Sequence, residues 1–124
     1  MAILDIVNEQ DEVVGAAPYE QVKKNNLAHR GVIVLLFDRD NNLYLQRRAQ
    51  QYVTSPGLWD MSSSGHVDSG ESYEVAAERE LEEELGVKDV QIKFLTKYYV
   101  VEHDKRFGEV KGFVSLYAAK SNDG

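Results

Sequence analysis

Short apolar runs separated by polar turns dominate the first third of the chain. Ile3 to Val7 and Glu12 to Val14 flank the polar segment Asn8-Glu9-Gln10-Asp11, which predicts a leading hairpin. Pro18 is placed to open a short helix through about Lys24, because proline suits a first helical turn. Gly31 to Phe37 is a continuous apolar run rich in β-branched residues, so it predicts a strand buried on both faces at the centre of a sheet. Asp38 to Asn42 carries turn chemistry, and Leu43 to Arg47 is expected to return as the second strand of a hairpin.

From Ala49 to Gly65 the chain is polar and broken by Pro56-Gly57, with Trp59 and Met61 as its large apolar residues. This reads as a long functional loop holding one short strand. Ser72 to Leu85 contains neither Gly nor Pro, lies between Gly70 and Gly86, and spaces Ala77, Leu81 and Leu85 four apart, which predicts a helix with an apolar stripe. Val90 to Val101 and Gly112 to Ala119 read as strands separated by the charged segment Glu102 to Glu109. The fold class is α+β, mixing strands and helices around one sheet.

A length of 124 residues suits a single domain spanning 1–124. With 43% hydrophobic and 28% charged residues, the chain is too apolar to remain disordered. No apolar run reaches the ~18 residues of a membrane span, and the first residues lack signal-peptide character, so a cytoplasmic protein without a membrane partner is expected. The absence of cysteine excludes disulfides, thiolate metal sites and a cysteine nucleophile. A net charge of -7 disfavours a partner such as duplex nucleic acid, which draws on many Lys and Arg contacts. An acidic protein can still handle a phosphorylated small molecule when a divalent cation bridges the two.

The run Arg79-Glu-Leu-Glu-Glu-Glu84 concentrates four carboxylates in five positions. At about 100° per residue, Glu80, Glu83 and Glu84 share one helix face with Ala76, while Glu82 points elsewhere. Like charges at this spacing destabilise a helix by about 0.2–0.5 kcal/mol per pair, so clustering them gains nothing for stability alone. A divalent ion reverses that sign, and carboxylate oxygen is what Mg2+ and Mn2+ prefer. A solvated acidic face is the plainer alternative. Against it, Arg79 stands one turn before Glu83 and can pair with it or with Glu71, fixing carboxylate orientation.

The full run from Gly65 to Val87 resembles the 23-residue box of the Nudix hydrolases, matching at Gly65, Glu71, Arg79, Glu80, Leu81, Glu83, Glu84, Gly86 and Val87. Upstream, His29-Arg30-Gly31, Leu45-Gln46-Arg47-Arg48 and Pro56-Gly57-Leu58-Trp59-Asp60 are similar to the branch that includes isopentenyl diphosphate isomerase. The resemblance implies an α/β/α sandwich around a mixed β-sheet. The usual C-terminal helix has no counterpart, so a longer chain beyond Gly124 or a homodimer is expected to cover the sheet.

The resemblance further implies catalytic roles for Glu83, Glu80 and Arg79, and Mg2+ binding by Glu80, Glu83 and Glu84 with the Gly65 carbonyl. The substrate would be a small-molecule diphosphate, cleaved at its linkage with water as nucleophile. Glu109 is the preferred general base, ahead of Glu102 and against a plain surface charge. His66 and His29 are candidates for substrate or second-metal contacts, or for simple hydrogen bonding in polar loops. Arg47 and Arg48 face opposite sides of a strand, so at most one clamps phosphate. Trp59 either stacks on a base or, the preferred reading, anchors the core. An isomerase and a catalytically silent binding module compete with the hydrolase. The intact box opposes the silent module. Ser64 occupies the place where the isomerase carries a cysteine, and a hydroxyl is a far poorer proton-transfer group than a thiol.

Overall fold

The computed structural model describes residues 2–37, 43, 46–47, 59–60, 63–88, 90–104 and 108–120. The leading hairpin forms, with a second strand that runs on past the expected Glu12 to Val14 as far as Pro18: β1 (Ile3–Val7) pairs antiparallel with β2 (Val13–Pro18). Asn8 makes the turn, its Oδ1 accepting the backbone N–H groups of Gln10 (2.9 Å) and Glu12 (3.0 Å). Pro18 then caps the short helix α1 (Tyr19–Lys24), whose fully buried Val22 packs on Leu4 and Ala17 of the hairpin.

Strand β3 (His29–Phe37) runs through the interior of a four-stranded sheet. Val32, Val34 and Leu36 are buried on one face, whereas Ile33, Leu35 and Phe37 on the other are only half-buried, so the strand is not equally covered on both sides. Phe37 bridges to Leu43, but the expected turn at 38–42 lies outside the described residues. Two short strands, β4 (Gln46–Arg47) and β5 (Trp59–Asp60), pair separately with Arg47 opposite Trp59. After them β6 (Ser63–His66) joins β3 antiparallel, giving the polar segment before the helix two short strands where one was expected.

Helix α2 (Tyr73–Leu85) follows the boundaries its sequence dictates. The Ser72 side chain accepts from the Val75 N–H at 3.2 Å, and Gly86 ends the helix at φ 68°, a left-handed conformation that glycine adopts without strain. Ala76, Ala77 and Leu81 bury against Val32, Val34, Leu36, Val67 and Tyr117. Burying a leucine such as Leu81 contributes about 1.5–3 kcal/mol.

The remaining strands, β7 (Ile92–Asp104) and β8 (Gly108–Lys120), form one long antiparallel hairpin. The charged stretch expected to be a loop is mostly strand: Glu102 pairs with Val110 and His103 with Glu109. Cross-strand pairing continues through these residues because their polar side chains remain in solvent while the backbone ladder is satisfied. The sheet order is β6-β3-β8-β7, parallel between β3 and β8 and antiparallel elsewhere, which makes the fold α+β with a mixed sheet. No helix among the described residues is long and apolar enough to cross a membrane.

Candidate active site

The loop that enters α2 is held from outside by the leading hairpin. Ser69 donates its backbone N–H to the Ile3 carbonyl (2.7 Å) and its hydroxyl to the buried Asp5 carboxylate (2.7 Å), while the Gly70 N–H reaches the other Asp5 oxygen (3.3 Å). Inside the loop, the Asp68 N–H donates to Glu71 Oε1 at 2.8 Å. A second anchor forms at Asp11, whose carboxylate accepts from Arg30 Nε (2.8 Å), the Tyr73 hydroxyl (2.7 Å) and Lys97 Nζ (2.7 Å). Burial pushes the Asp11 carboxyl up, but these three donors outweigh it and hold the group below its ordinary range.

Arg79 gathers the acidic residues of the box. Its Nε and Nη2 grip Glu71 at 2.8 and 2.9 Å, and Nη2 also donates to the His66 carbonyl at 2.9 Å. Nη1 spans Glu80 Oε1 (2.8 Å) and Glu83 Oε2 (3.3 Å). Both pairings open to Arg79 in the sequence are therefore made at once, and planar, multiply bonded geometry is what guanidinium supplies.

Glu80 is the buried carboxylate of the set, and it lies against bare backbone. A Cβ added to Gly65 would fall 2.6 Å from Glu80 Oε2 and closer still to its Cδ and Oε1. Burial first, then the nearby Glu84 charge, raise Glu80 to about 7 despite the bond from Arg79. Glu84 Oε1 accepts the backbone N–H of Ser64 at 3.2 Å, which ties the far end of the helix to β6. The Glu83 side chain is 59% exposed.

This donor set fits a hard divalent cation. Glu80 brings its carboxylate to Gly65, where only a glycine leaves room, and the repulsion between it and the nearby Glu84 charge is what a cation relieves. Among the described residues no three His, Asp or Glu side chains already converge as a coordination shell.

Beside Gly65 opens a cavity of about 430 Å³, lined in part by Tyr19, Lys23, His29, His66, Glu102 and Lys111. The His66 ring stands between Tyr19 (centroids 4.9 Å apart, edge-on) and His29 (5.4 Å). Burial, with the charges of Lys23, His29 and Arg79, pushes His66 down to about 3, so it is a neutral imidazole at pH 7. His29 Nδ1 faces the Leu27 carbonyl at 3.1 Å, which fixes the proton on that nitrogen, and burial lowers this group too.

The structure thus brings together Gly65, His66, Arg79, Glu80, Glu83 and Glu84. Glu102 lines the cavity, whereas Glu109 lies opposite His103 further along the hairpin and is not on the cavity wall. Arg47 and Trp59 are placed as backbone partners in β4 and β5, and Arg48 lies outside the described residues. Sequence reasoning missed Tyr19, Lys23 and Lys111 on the cavity wall and Asp5 beneath the loop. The one available signal was the four-residue spacing of Tyr19 and Lys23 on a proline-initiated helix.

A loop-helix with this glycine, arginine and glutamate constellation on a mixed sheet defines a class. The family model of the NUDIX domain matches residues 27–124, and the chain belongs to the Nudix family. It is 37% identical over 100 residues to an uncharacterised Nudix hydrolase of Pseudomonas aeruginosa, covering 81% of this chain and 59% of that protein. It is 39% identical over 84 residues to isopentenyl-diphosphate delta-isomerase 2 of Photorhabdus laumondii, covering 68% of this chain and 48% of the isomerase. Among solved structures it is similar to DR0079 of Deinococcus radiodurans, with a TM-score of 0.76 and 30% identity over 97% of this chain and 72% of that one. The chain spans about half the length of the curated relatives it matches.

Proposed function

We propose that the chain is a divalent-metal-dependent hydrolase that cleaves a diphosphate linkage, in a nucleoside diphosphate derivative or related compound, by water attack at phosphorus. The observation that carries this reading is the buried Glu80 carboxylate seated against Gly65, with Glu84 adjacent and Arg79 bridging Glu80 to Glu83. Glu80, Glu83, Glu84 and the Gly65 carbonyl would hold Mg2+ or Mn2+, which would supply charge neutralisation at the diphosphate oxygens and a lowered pKa for the attacking water. Arg79 fixes the carboxylates through Glu71 and the His66 carbonyl rather than touching substrate. Glu102 is assigned as the general base in preference to Glu109, because it lies on the cavity wall together with Gly65.

Similarity to the Photorhabdus isomerase favours a second reading, allylic isomerisation of isopentenyl diphosphate. That reaction protonates one carbon and deprotonates another, and the present chain has Ser64 and no cysteine to take part. Hydrolysis needs no thiol. The test is Glu83→Gln assayed with Mg2+ on a panel of nucleotide and isoprenoid diphosphates. Neutralising this exposed side chain leaves the fold intact, so a loss of about 10²-fold or more in turnover at unchanged Tm is expected. Turnover at the parent rate would remove the metal assignment.

A further inference from the structure

The family match begins at residue 27, yet the wall of the cavity beside Gly65 is built partly from α1, which precedes it. Tyr19 and Lys23 lie four residues apart and so project from one side of this short helix. The helix is fixed in place: Val22 is fully buried between them, the Tyr19 N–H donates to the Ala2 carbonyl (3.0 Å), and the Leu27 N–H donates to the Val22 carbonyl (2.9 Å). Lys23 Nζ stands 5.4 Å from the centre of the Tyr19 ring, and that ring meets His66 edge-on, immediately after the glycine on which Glu80 rests.

The cavity's chemistry is unlike that of the chain as a whole. In a protein of net charge -7, the described residues of its wall carry Lys23 and Lys111 with Glu102, a tyrosine and two imidazoles, beside an apolar stretch that includes Val100, Val110 and Phe113. A volume of about 430 Å³ accommodates a compact organic group carrying its own charge. A branched hydrocarbon tail can meet the apolar stretch, but it would strip water from the lysines and imidazoles and return no hydrogen bonds. A flat heterocycle can lie against the Tyr19 and His66 rings, and anionic oxygens can face the ammonium groups.

We propose that α1 is the specificity element of this enzyme: Tyr19 and Lys23, with Lys111 on the wall of the same cavity, receive the nucleoside monophosphate half of the substrate and discriminate against isoprenoid groups. This rests on the reading of the site as a diphosphate hydrolase. It adds residues that select the substrate, and two of them, Tyr19 and Lys23, come from a segment outside the family match.

The experiment uses the full chain without divalent metal. Binding of the four common nucleoside 5′-monophosphates and of dimethylallyl monophosphate is measured by calorimetry, and amide shifts are followed by NMR. At least one nucleotide is expected to bind tenfold or more tightly than the isoprenoid, moving the Tyr19, Lys23 and Lys111 signals. Tyr19→Ala and Lys23→Gln, each checked for folding by Tm, are expected to weaken that binding tenfold or more. In turnover with Mg2+ they should raise KM tenfold while kcat stays within twofold. The shift pattern of the parent chain decides the matter even where a variant fails to fold. Equal binding of the isoprenoid, no shift at α1, or unchanged nucleotide affinity in both variants would overturn the proposal. Nucleotide binding at α1 without any metal-dependent turnover would uphold it and remove the hydrolase reading; turnover with unaltered KM in both variants would do the reverse.

Discussion

Replacing Gly65 with alanine places a methyl group where the Glu80 carboxylate now lies. The added Cβ falls 2.6 Å from Oε2, against 3.4 Å for the onset of ordinary contact, and the backbone of β6 is pinned to β3 through Val32 opposite Gly65. The carboxylate therefore yields, retreating by roughly 1 Å and losing its 2.8 Å bond from Arg79. It is the far end of a three-torsion side chain, so the fold survives, with a stability change of about 1.5 kcal/mol or less. Catalysis does not tolerate the same movement, because misplacing a group by about 1 Å can cost on the order of 10²-fold in rate. That corresponds to about 2.7 kcal/mol in the barrier. The assay is steady-state turnover of the best diphosphate substrate over a Mg2+ titration, with Tm measured in parallel. Gly15→Ala in the leading hairpin is the control, since its Cβ would stand 3.7 Å from Ile6 Cδ1, an ordinary contact that touches none of the site residues. Gly65→Ala turning over within twofold of the parent, at saturating Mg2+, would refute the claim that this contact sets the metal site.

Three further outcomes are expected. Asp11→Asn weakens a buried anchor shared by Arg30, Tyr73 and Lys97, and should destabilise the fold by about 3 kcal/mol. The folded-state pKa of Asp11 lies below the 3.8 of a free aspartate side chain, so its contribution is complete above that value and is lost as pH falls through the lower folded pKa; acid titration by circular dichroism should show Asp11→Asn removing that part of the pH dependence. Leu81→Ala, at 1% exposure beneath Val67 and Tyr117, should cost about 2–5 kcal/mol in a denaturant titration, and a loss under about 1 kcal/mol would contradict the core described. Isopentenyl diphosphate incubated with the chain and Mg2+ should yield no dimethylallyl isomer by NMR, and robust conversion would promote the isomerase reading.

Local signals carried α2 completely: Ser72, Gly86 and the four-residue apolar spacing are short-range features, and the helix they dictate is the one that forms. The same holds for the turn of the leading hairpin and for α1, where Asn8 and Pro18 act on their immediate neighbours, whereas the continuation of β2 to Pro18 comes from its pairing with β1. Charge misled the reading at Glu102 and His103, because strand pairing with Val110 and Glu109 outweighs local polarity. The box showed which carboxylates belong together and that Arg79 could orient them. It could not show that Glu80 is the buried one, since that follows from β6 lying beneath the helix. Least legible were contacts between distant segments. Asp11 meets Lys97 and Asp5 meets Ser69 only after the sheet has assembled, and the four-residue spacing of Tyr19 and Lys23 puts them on one side of a helix without showing the cavity they line.

The central claim is water attack at phosphorus, and oxygen-18 labelling tests it most directly. Cleavage of the best substrate in H2(18)O with Mg2+, followed by mass spectrometry of the products, should place one labelled oxygen on a phosphorylated fragment in the parent chain, at a rate reduced about 10²-fold or more in Glu83→Gln. Products without label on phosphorus, or no metal-dependent cleavage of any diphosphate tested, would contradict it.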